Sequence, residues 1–277
     1  MKYLLLLAVA LVVLAISAPP LLGTTRARAA LPDWENVSPA PVGQFGFQTI
    51  ISTAPGVVYV GTDSGGLLKS TNSGLTWTRV DLPWGSYCAQ FDGRLWTLAV
   101  DRFTNALYTV NGYGCAAGVF KSVDGGVHWA SMLGSSGINP DIYHIEADPY
   151  LANHILVSLH SGSGVGESFD GGVTWLSHPG QSGSYVMVLN NSSTWLLATQ
   201  DSGMWKTTNN GQSWAQVSTY NMMHGADQLY HAPDNSWYVG SLDGVLRSTN
   251  NGDSWTLVWP DGTPDGVNSV FGANGRL

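Results

Sequence analysis

The side chains of this chain that could do chemistry are aromatic rings, carboxylates and imidazoles, and they fall at recurring places. One series is Asp63, Tyr113, His160, Asp201 and Asp243. Each follows a Val/Tyr/Leu-rich run and sits in or beside a polar, Gly-containing segment such as Thr62-Asp63-Ser64-Gly65-Gly66. A second series lies between those units: Trp84 and Tyr87, then Tyr143 and His144, then Met222, Met223, His224 and Asp227. Rings stack on the apolar faces of sugars and carboxylates accept bonds from hydroxyls, so the two series around one mouth would suit a glycan. Loops need polar, Gly-rich residues on structural grounds as well, and for any single residue both readings stay open. Other chemistry has little support. Gly162-Ser163-Gly164 reads as a flexible loop and not as a nucleophile elbow. Cys88 and Cys115 have no partners at zinc spacing, and no cofactor is implied.

What must position these residues is an octapeptide that occurs five times, starting at Ser70, Ser122, Ser168, Thr207 and Ser248. Ser168-Phe169-Asp170-Gly171-Gly172-Val173-Thr174-Trp175 shows its frame: a hydroxyl first, Asp or Asn third, Gly fifth, Trp eighth. This composition is that of a tight hairpin turn. Gly supplies a backbone angle other residues resist, Asp or Asn folds onto nearby N–H groups, and the hydroxyl bonds locally. The Trp opens the return strand and covers the hairpin. Three of the five copies carry Asn in third place, which suits a turn and would be odd for a catalytic carboxylate.

The octapeptide resembles the Asp box of the BNR-repeat propellers, S/T-x-D/N-x-G-x-x-W in its compact form. That family includes sialidases, xyloglucan-active endoglucanases, sortilin-type receptors and a plastid photosystem assembly factor. The resemblance implies a β-propeller, with the boxes at the blade periphery and ligands in the funnel at one end of the channel. It leaves the activity open.

The octapeptide starts are 52, 46, 39 and 41 residues apart, periods that suit blades of four antiparallel strands. Inner strands are expected at 45–53, 95–100, 142–147, 185–189 and 228–231. Second strands are expected at 57–60, 106–110, 155–159, 195–199 and 237–240. The fold class is thus all-β, with five blades visible. Asp33-Trp34-Glu35-Asn36-Val37 reads like an outer strand without its box, and residues 268–273 like a sixth inner strand. The expected layout is a signal peptide over 1–29 and a propeller over 30–277 that lacks part of a closing blade, six or more blades if complete. An open five-bladed chain is the alternative, at the cost of exposed sheet edges.

Charged residues make up 11 % of the 277, against 34 Gly and 12 Trp, as expected of many short strands and tight turns. Leu4 to Ile16 is a thirteen-residue apolar run behind Met1-Lys2-Tyr3, short for a membrane span and suited to a signal-peptide core. Ala27-Arg28-Ala29 offers a cleavage site, with a cut after Ser17 or Ala18 or an uncleaved anchor as the alternatives. Secretion follows as the expectation. Without Lys2, Arg26 and Arg28 the formal charge moves from −8 to −11, which argues against nucleic acid or an anionic membrane surface as partner. A glycan or an extracellular protein remains, bound by a monomer. An even cysteine count in an exported chain points to a Cys88–Cys115 disulfide, with two free thiols as the alternative. Asn36-Val37-Ser38 and Asn190-Asn191-Ser192 fit the glycosylation acceptor pattern.

Among enzymes, the sialidase reading lacks support: there is no Arg-Ile-Pro, and Arg79 and Arg247 flank boxes. Thr62-Asp63-Ser64-Gly65-Gly66 is similar to the Thr-Asp-x-Gly-Gly segment of xyloglucan-active endoglucanases, which makes Asp63 the one catalytic suspect. Inverting hydrolysis needs a second carboxyl group roughly 6.5–9.5 Å away. In those enzymes it comes from a second propeller.

Overall fold

The structure is a computed structural model, and it describes residues 47–62, 66–80, 95, 97–111, 117–133, 138–160, 164–222, 229–260, 266–267 and 270. The expected signal peptide, Trp34 strand, cysteine pair and most of the sixth inner strand lie outside those residues. The described residues contain no helix and form five antiparallel four-stranded sheets, the blades of a β-propeller.

Blade 1 holds β1 (Phe47–Ala54), β2 (Val57–Thr62), β3 (Leu67–Ser70) and β4 (Thr78–Val80). Blade 2 holds β5 (Leu98–Val100), β6 (Leu107–Asn111), β7 (Gly118–Ser122) and β8 (Ala130–Ser131). Blade 3 holds β9 (Ile142–Ala147), β10 (Ile155–Leu159), β11 (Val165–Ser168) and β12 (Leu176–His178). Blade 4 holds β13 (Tyr185–Val188), β14 (Trp195–Ala198), β15 (Met204–Thr207) and β16 (Ala215–Ser218). Blade 5 holds β17 (Leu229–His231), β18 (Trp237–Ser241), β19 (Gly244–Ser248) and β20 (Thr256–Pro260). Strand order within every sheet follows chain order, as hairpin connections require.

The octapeptides are the corners between third and fourth strands, and their chemistry is local. The first hydroxyl accepts the fifth residue's N–H, as from Gly74 to Ser70 at 2.8 Å and from Gly211 to Thr207 at 3.1 Å. The third side chain accepts the seventh N–H, as from His128 to Asp124 and from Ser254 to Asn250. The fourth residue also has positive φ, 60° at Ser73 and 53° at Asn210. That second left-handed position explains why Ser, Gly or Asn stands there.

The core lies between blades. Tyr59, Leu67, Leu98, Leu107 and Phe120 fill the space between blades 1 and 2, and Tyr108, Val110, Ile145, Ile155 and Val157 that between blades 2 and 3. Leu156, Val165, Val186, Trp195 and Leu197 join blades 3 and 4, and Tyr185, Met204, Trp237, Val239 and Leu246 join blades 4 and 5. Alternate strand residues face opposite sides of a sheet, so each blade gives one face to each neighbour.

Candidate functional site

The five inner strands surround a cavity of about 620 Å³. Each runs from the linker side of the propeller, where the chain enters a blade, toward the side that carries the octapeptide corners. The cavity walls are mostly backbone and apolar side chains, including Ile51, Ala99, Val188 and Leu229. Polar groups are few: Arg102, His144, Glu146 and His231, with the rings of Tyr150 and Trp237. Arg102, Tyr150, His231 and Trp237 lie at or beyond the ends of the inner strands of blades 2, 3 and 5, so the cavity lies toward the corner side. No octapeptide residue lines it.

Glu146 is the residue that sequence reasoning missed. It stands on β9 opposite Leu156, the rung that carries Ile51, Ala99 and Met187 in blades 1, 2 and 4. Burial pushes its carboxyl up to about 8, and the nearby Asp148 charge adds to this. An N–H bond from Val188 and the Arg102 charge pull the other way without cancelling it. Its side chain is partly buried and faces the channel, with protein on its other sides. Near neutral pH this favours the protonated form of Glu146, which can donate a hydrogen bond. The available signal is its two-residue spacing from His144 along one inner strand.

Behind this wall, blade 3 carries a buried chain of ionisable groups on its side toward blade 4. His154 Nδ1 lies 2.5 Å from Asp148 Oδ2, and its Nε2 lies 2.8 Å from Glu167 Oε1. The other Glu167 oxygen meets His178 Nε2 at 2.6 Å. Asp148, His154 and Glu167 are each about 1 % exposed. Only an imidazolium has two N–H donors, so a ring between two carboxylates is satisfied when charged. Burial works against that charge, but the bonds and charges of Asp148 and Glu167 outweigh it and raise the His154 pKa. Burial likewise opposes the Asp148 charge. Bonds from His154, Ser192 and the Tyr150 N–H overcome it and lower that pKa. Among the described residues, no group of three or more His, Cys, Asp or Glu converges as a metal site would require.

The expected ligand residues are distributed as follows. His144 lies in the channel wall, 4 % exposed, with its ring 6.1 Å from that of Tyr185. His160 begins the second loop of blade 3, stacks on Tyr143 at 3.9 Å and meets Asp141 at 3.1 Å. These two histidines thus belong to one blade. Asp201 and Asp243 occupy exposed hairpin loops of blades 4 and 5. Asp243 uses its N–H to bond Ser241. Asp63, Trp84, Tyr87, Tyr113 and His224 lie outside the described residues.

No protein-family model matches the chain, and no curated protein does. Solved structures do. An ancestral GH74 enzyme is 21 % identical, with TM-score 0.56 over 81 % of this chain and 32 % of its own. The GH74 xyloglucanase from Xanthomonas campestris is 19 % identical, with TM-score 0.53 over 76 % of this chain and 38 % of its own. The virginiamycin B lyase from Staphylococcus aureus is 15 % identical, with TM-score 0.59 over 79 % of this chain and 71 % of its own. The chain thus spans about a third of the length of the GH74 structures it matches. Likeness at this level shows the fold alone, and the fold it shows is the one the five sheets already display: this chain is a β-propeller.

Proposed function

We propose that this chain is a secreted Asp-box propeller whose central channel binds a glycan, without catalysing a reaction on it. The observation that supports this is the channel itself. A space of about 620 Å³ is within the usual range for a ligand site, and its wall combines apolar side chains with backbone and a few polar side chains. Tyr150 and His231, both exposed, offer ring surfaces, with His231 laid over the buried Trp237, and Arg102, His144 and Glu146 offer hydrogen bonds. Among the described residues, the carboxyl groups near the channel do not form a hydrolytic pair: Asp148 is committed to His154 and Ser192, which leaves Glu146. The test is a glycan array probed with the intact protein, followed by the same array with His231→Ala and Tyr150→Ala, both at exposed positions. Binding that both substitutions weaken is the expected result. A blank array, with a protein recovered by pull-down instead, refutes the reading.

A second reading, a glycoside hydrolase, rests on Thr62-Asp63-Ser64-Gly65-Gly66. It requires release of reducing ends from plant polysaccharide and its loss in Asp63→Asn.

A further inference from the structure

We propose that the ligand of the channel carries a carboxylate, as a uronic-acid residue does, with Arg102 as its ion-pair partner and Glu146 and His231 as flanking hydrogen-bond groups. This deepens the glycan reading and rests on it.

The argument starts from charge. The whole chain has a formal charge of −8, yet the described channel lining holds one arginine and a single acidic residue. Arg102 is exposed at the end of the cavity, and no described carboxylate lies within ion-pair distance of it. Its sequence neighbour Asp101 is 1 % exposed and spends its oxygens on the N–H groups of Phe103, Thr104 and Asn153. Asp148, behind the wall, is bonded to His154. The guanidinium therefore remains available, and its planar fork of donors matches a carboxylate. Glu146 does not oppose this, because its carboxyl titrates at about 8. Below that pH it is neutral and can donate to a ligand oxygen. In blade 5 the exposed His231 ring, held flat on the buried Trp237 at 3.9 Å, offers its outer face to a sugar ring. A carboxylate seated at the end of the cavity would give Arg102 the counter-charge that no described side chain there supplies.

Ionisation of Glu146 above pH 8 would set two carboxylates against each other. The groups facing it are Arg102 from blade 2, His144 on its own strand, Asp148 and Tyr150 just beyond that strand, and His231 from blade 5. Blade 4 presents Met187, Val188 and Leu189, and blade 1 presents Ile50, Ile51 and Ser52.

The probe is an oligogalacturonide and its methyl ester, titrated into the full-length protein by calorimetry between pH 6 and pH 9. At pH 6 the free acid should bind about tenfold more tightly than the ester, a difference expected of one ion pair in a partly enclosed site. Arg102→Gln should abolish that preference while its thermal unfolding stays unchanged, since Arg102 is exposed. Wild-type affinity for the acid should fall above pH 8, and Glu146→Gln should remove that fall. Equal binding of acid and ester, or a preference that survives Arg102→Gln, overturns the carboxylate proposal and leaves the glycan reading standing. Binding of neutral glycans on the array with none of either galacturonide does the same. Failure of every glycan overturns both.

Discussion

The seams between blades come in two designs, and both use the same rung of the sheet. The residue before each octapeptide is Lys69, Lys121, Glu167, Lys206 and Arg247 in blades 1 to 5. Its partner on the second strand is Tyr59, Tyr108, Leu156, Leu196 and Tyr238. At three seams the lysine crosses to the next blade and bonds the carbonyl of the fourth corner residue. Lys69 reaches Gly125 at 2.7 Å, Lys121 reaches Gly171 at 3.2 Å, and Lys206 reaches Asn251 at 2.7 Å. In blade 3 the residue is a glutamate, an acceptor only, so it cannot bond a carbonyl. Blade 3 instead supplies His178 and His154 as donors, and blade 4 fills the remaining space with Trp195, fully buried and 5.5 Å from the His178 ring. One change of charge on a rung has thus altered a whole seam. The lysine seams place an ammonium donor at the rim, joined at the first two by a tyrosine hydroxyl, and the glutamate seam holds a buried ionic chain.

The largest test of this contrast removes the donor that serves two acceptors. His154→Ala leaves Asp148 and Glu167 buried without their shared imidazolium. Removing one partner of a buried ionic group costs about 3–5 kcal/mol. Chemical denaturation should show that loss, with little change in the slope against denaturant. A loss below about 1 kcal/mol would mean that water or rearranged neighbours compensate, and the two seams would then be equivalent.

Gly211 offers the next effect. It is the fifth corner residue of blade 4, at φ +70°, and a Cβ there would lie 2.9 Å from both the His178 ring and the Trp195 ring. Its counterpart Gly126 has φ +85° and would meet Tyr59 at 3.2 Å. Alanine at either site incurs the left-handed backbone cost of about 1–2 kcal/mol. At Gly211 it also displaces packed rings, which adds about 1–3 kcal/mol. Gly211→Ala should therefore lower the melting temperature more than Gly126→Ala. The reverse order would show that His178 and Trp195 move more easily than the seam requires.

Corners and strands are readable in the sequence because they obey local rules: the hydroxyl, Asx and Gly positions each satisfy backbone groups a few residues away. Inner strand 142–147 and second strand 155–159 follow from alternation and Gly-rich boundaries alone, and they stand at those bounds. The seam is not readable in this way. Glu167 occupies a position where four other copies carry a cation, yet its partners His154 and His178 are 13 and 11 residues away in sequence. Only pairing brings them together. Glu146 is hidden for a related reason. It shares its rung and its face with Glu167, across Leu156, and a lone carboxyl on an inner strand has no sequence signature until a channel forms beside it.

The contrast extends to pH. The folded pKa of His154 is raised from 6.5, so its contribution is complete below 6.5 and is lost as pH rises through the folded value. Glu146 is raised from 4.5 to about 8, so the native state holds a proton that the unfolded chain loses across that window, and stability falls there too. Asp148 acts oppositely, its contribution disappearing as pH falls below its ordinary 3.8 toward the lowered value. Each uncompensated proton changes stability by up to about 1.4 kcal/mol per pH unit. Urea titrations from pH 4.5 to 8.5 should slope downward. Glu146→Gln should flatten the part below pH 6.5, where it acts without His154, and each of Glu146→Gln and His154→Gln should reduce the slope above pH 6.5. An unchanged slope in both variants would move the pH response away from blade 3.

The smallest effects grade the lysine seams among themselves. At the first seam, the Tyr59 hydroxyl and Lys69 both donate to the Gly125 carbonyl, at 2.6 and 2.7 Å, with the ammonium 5.2 Å from the ring centre. At the second seam, Tyr108 and Lys121 repeat the pattern on Gly171 at 3.4 and 3.2 Å. A charge-assisted bond of ordinary length contributes about 1.5–3 kcal/mol, and a long one less. Methionine keeps the stem packed while removing the charge and the donor. Lys69→Met should therefore cost about 1–2 kcal/mol, and Lys121→Met less than about 1 kcal/mol by the same comparison of bond lengths. The carbonyl left behind decides the outcome. Gly125 lies at a solvent-facing corner, where water can replace the ammonium and limit the loss. Glu167 has no such relief, since a lysine there would be set against His154 and His178. Glu167→Lys should therefore destabilise more than both methionine variants together. If Glu167→Lys is tolerated as well as Lys121→Met, the rung does not dictate the seam, and the buried ionic chain is an independent feature of blade 3.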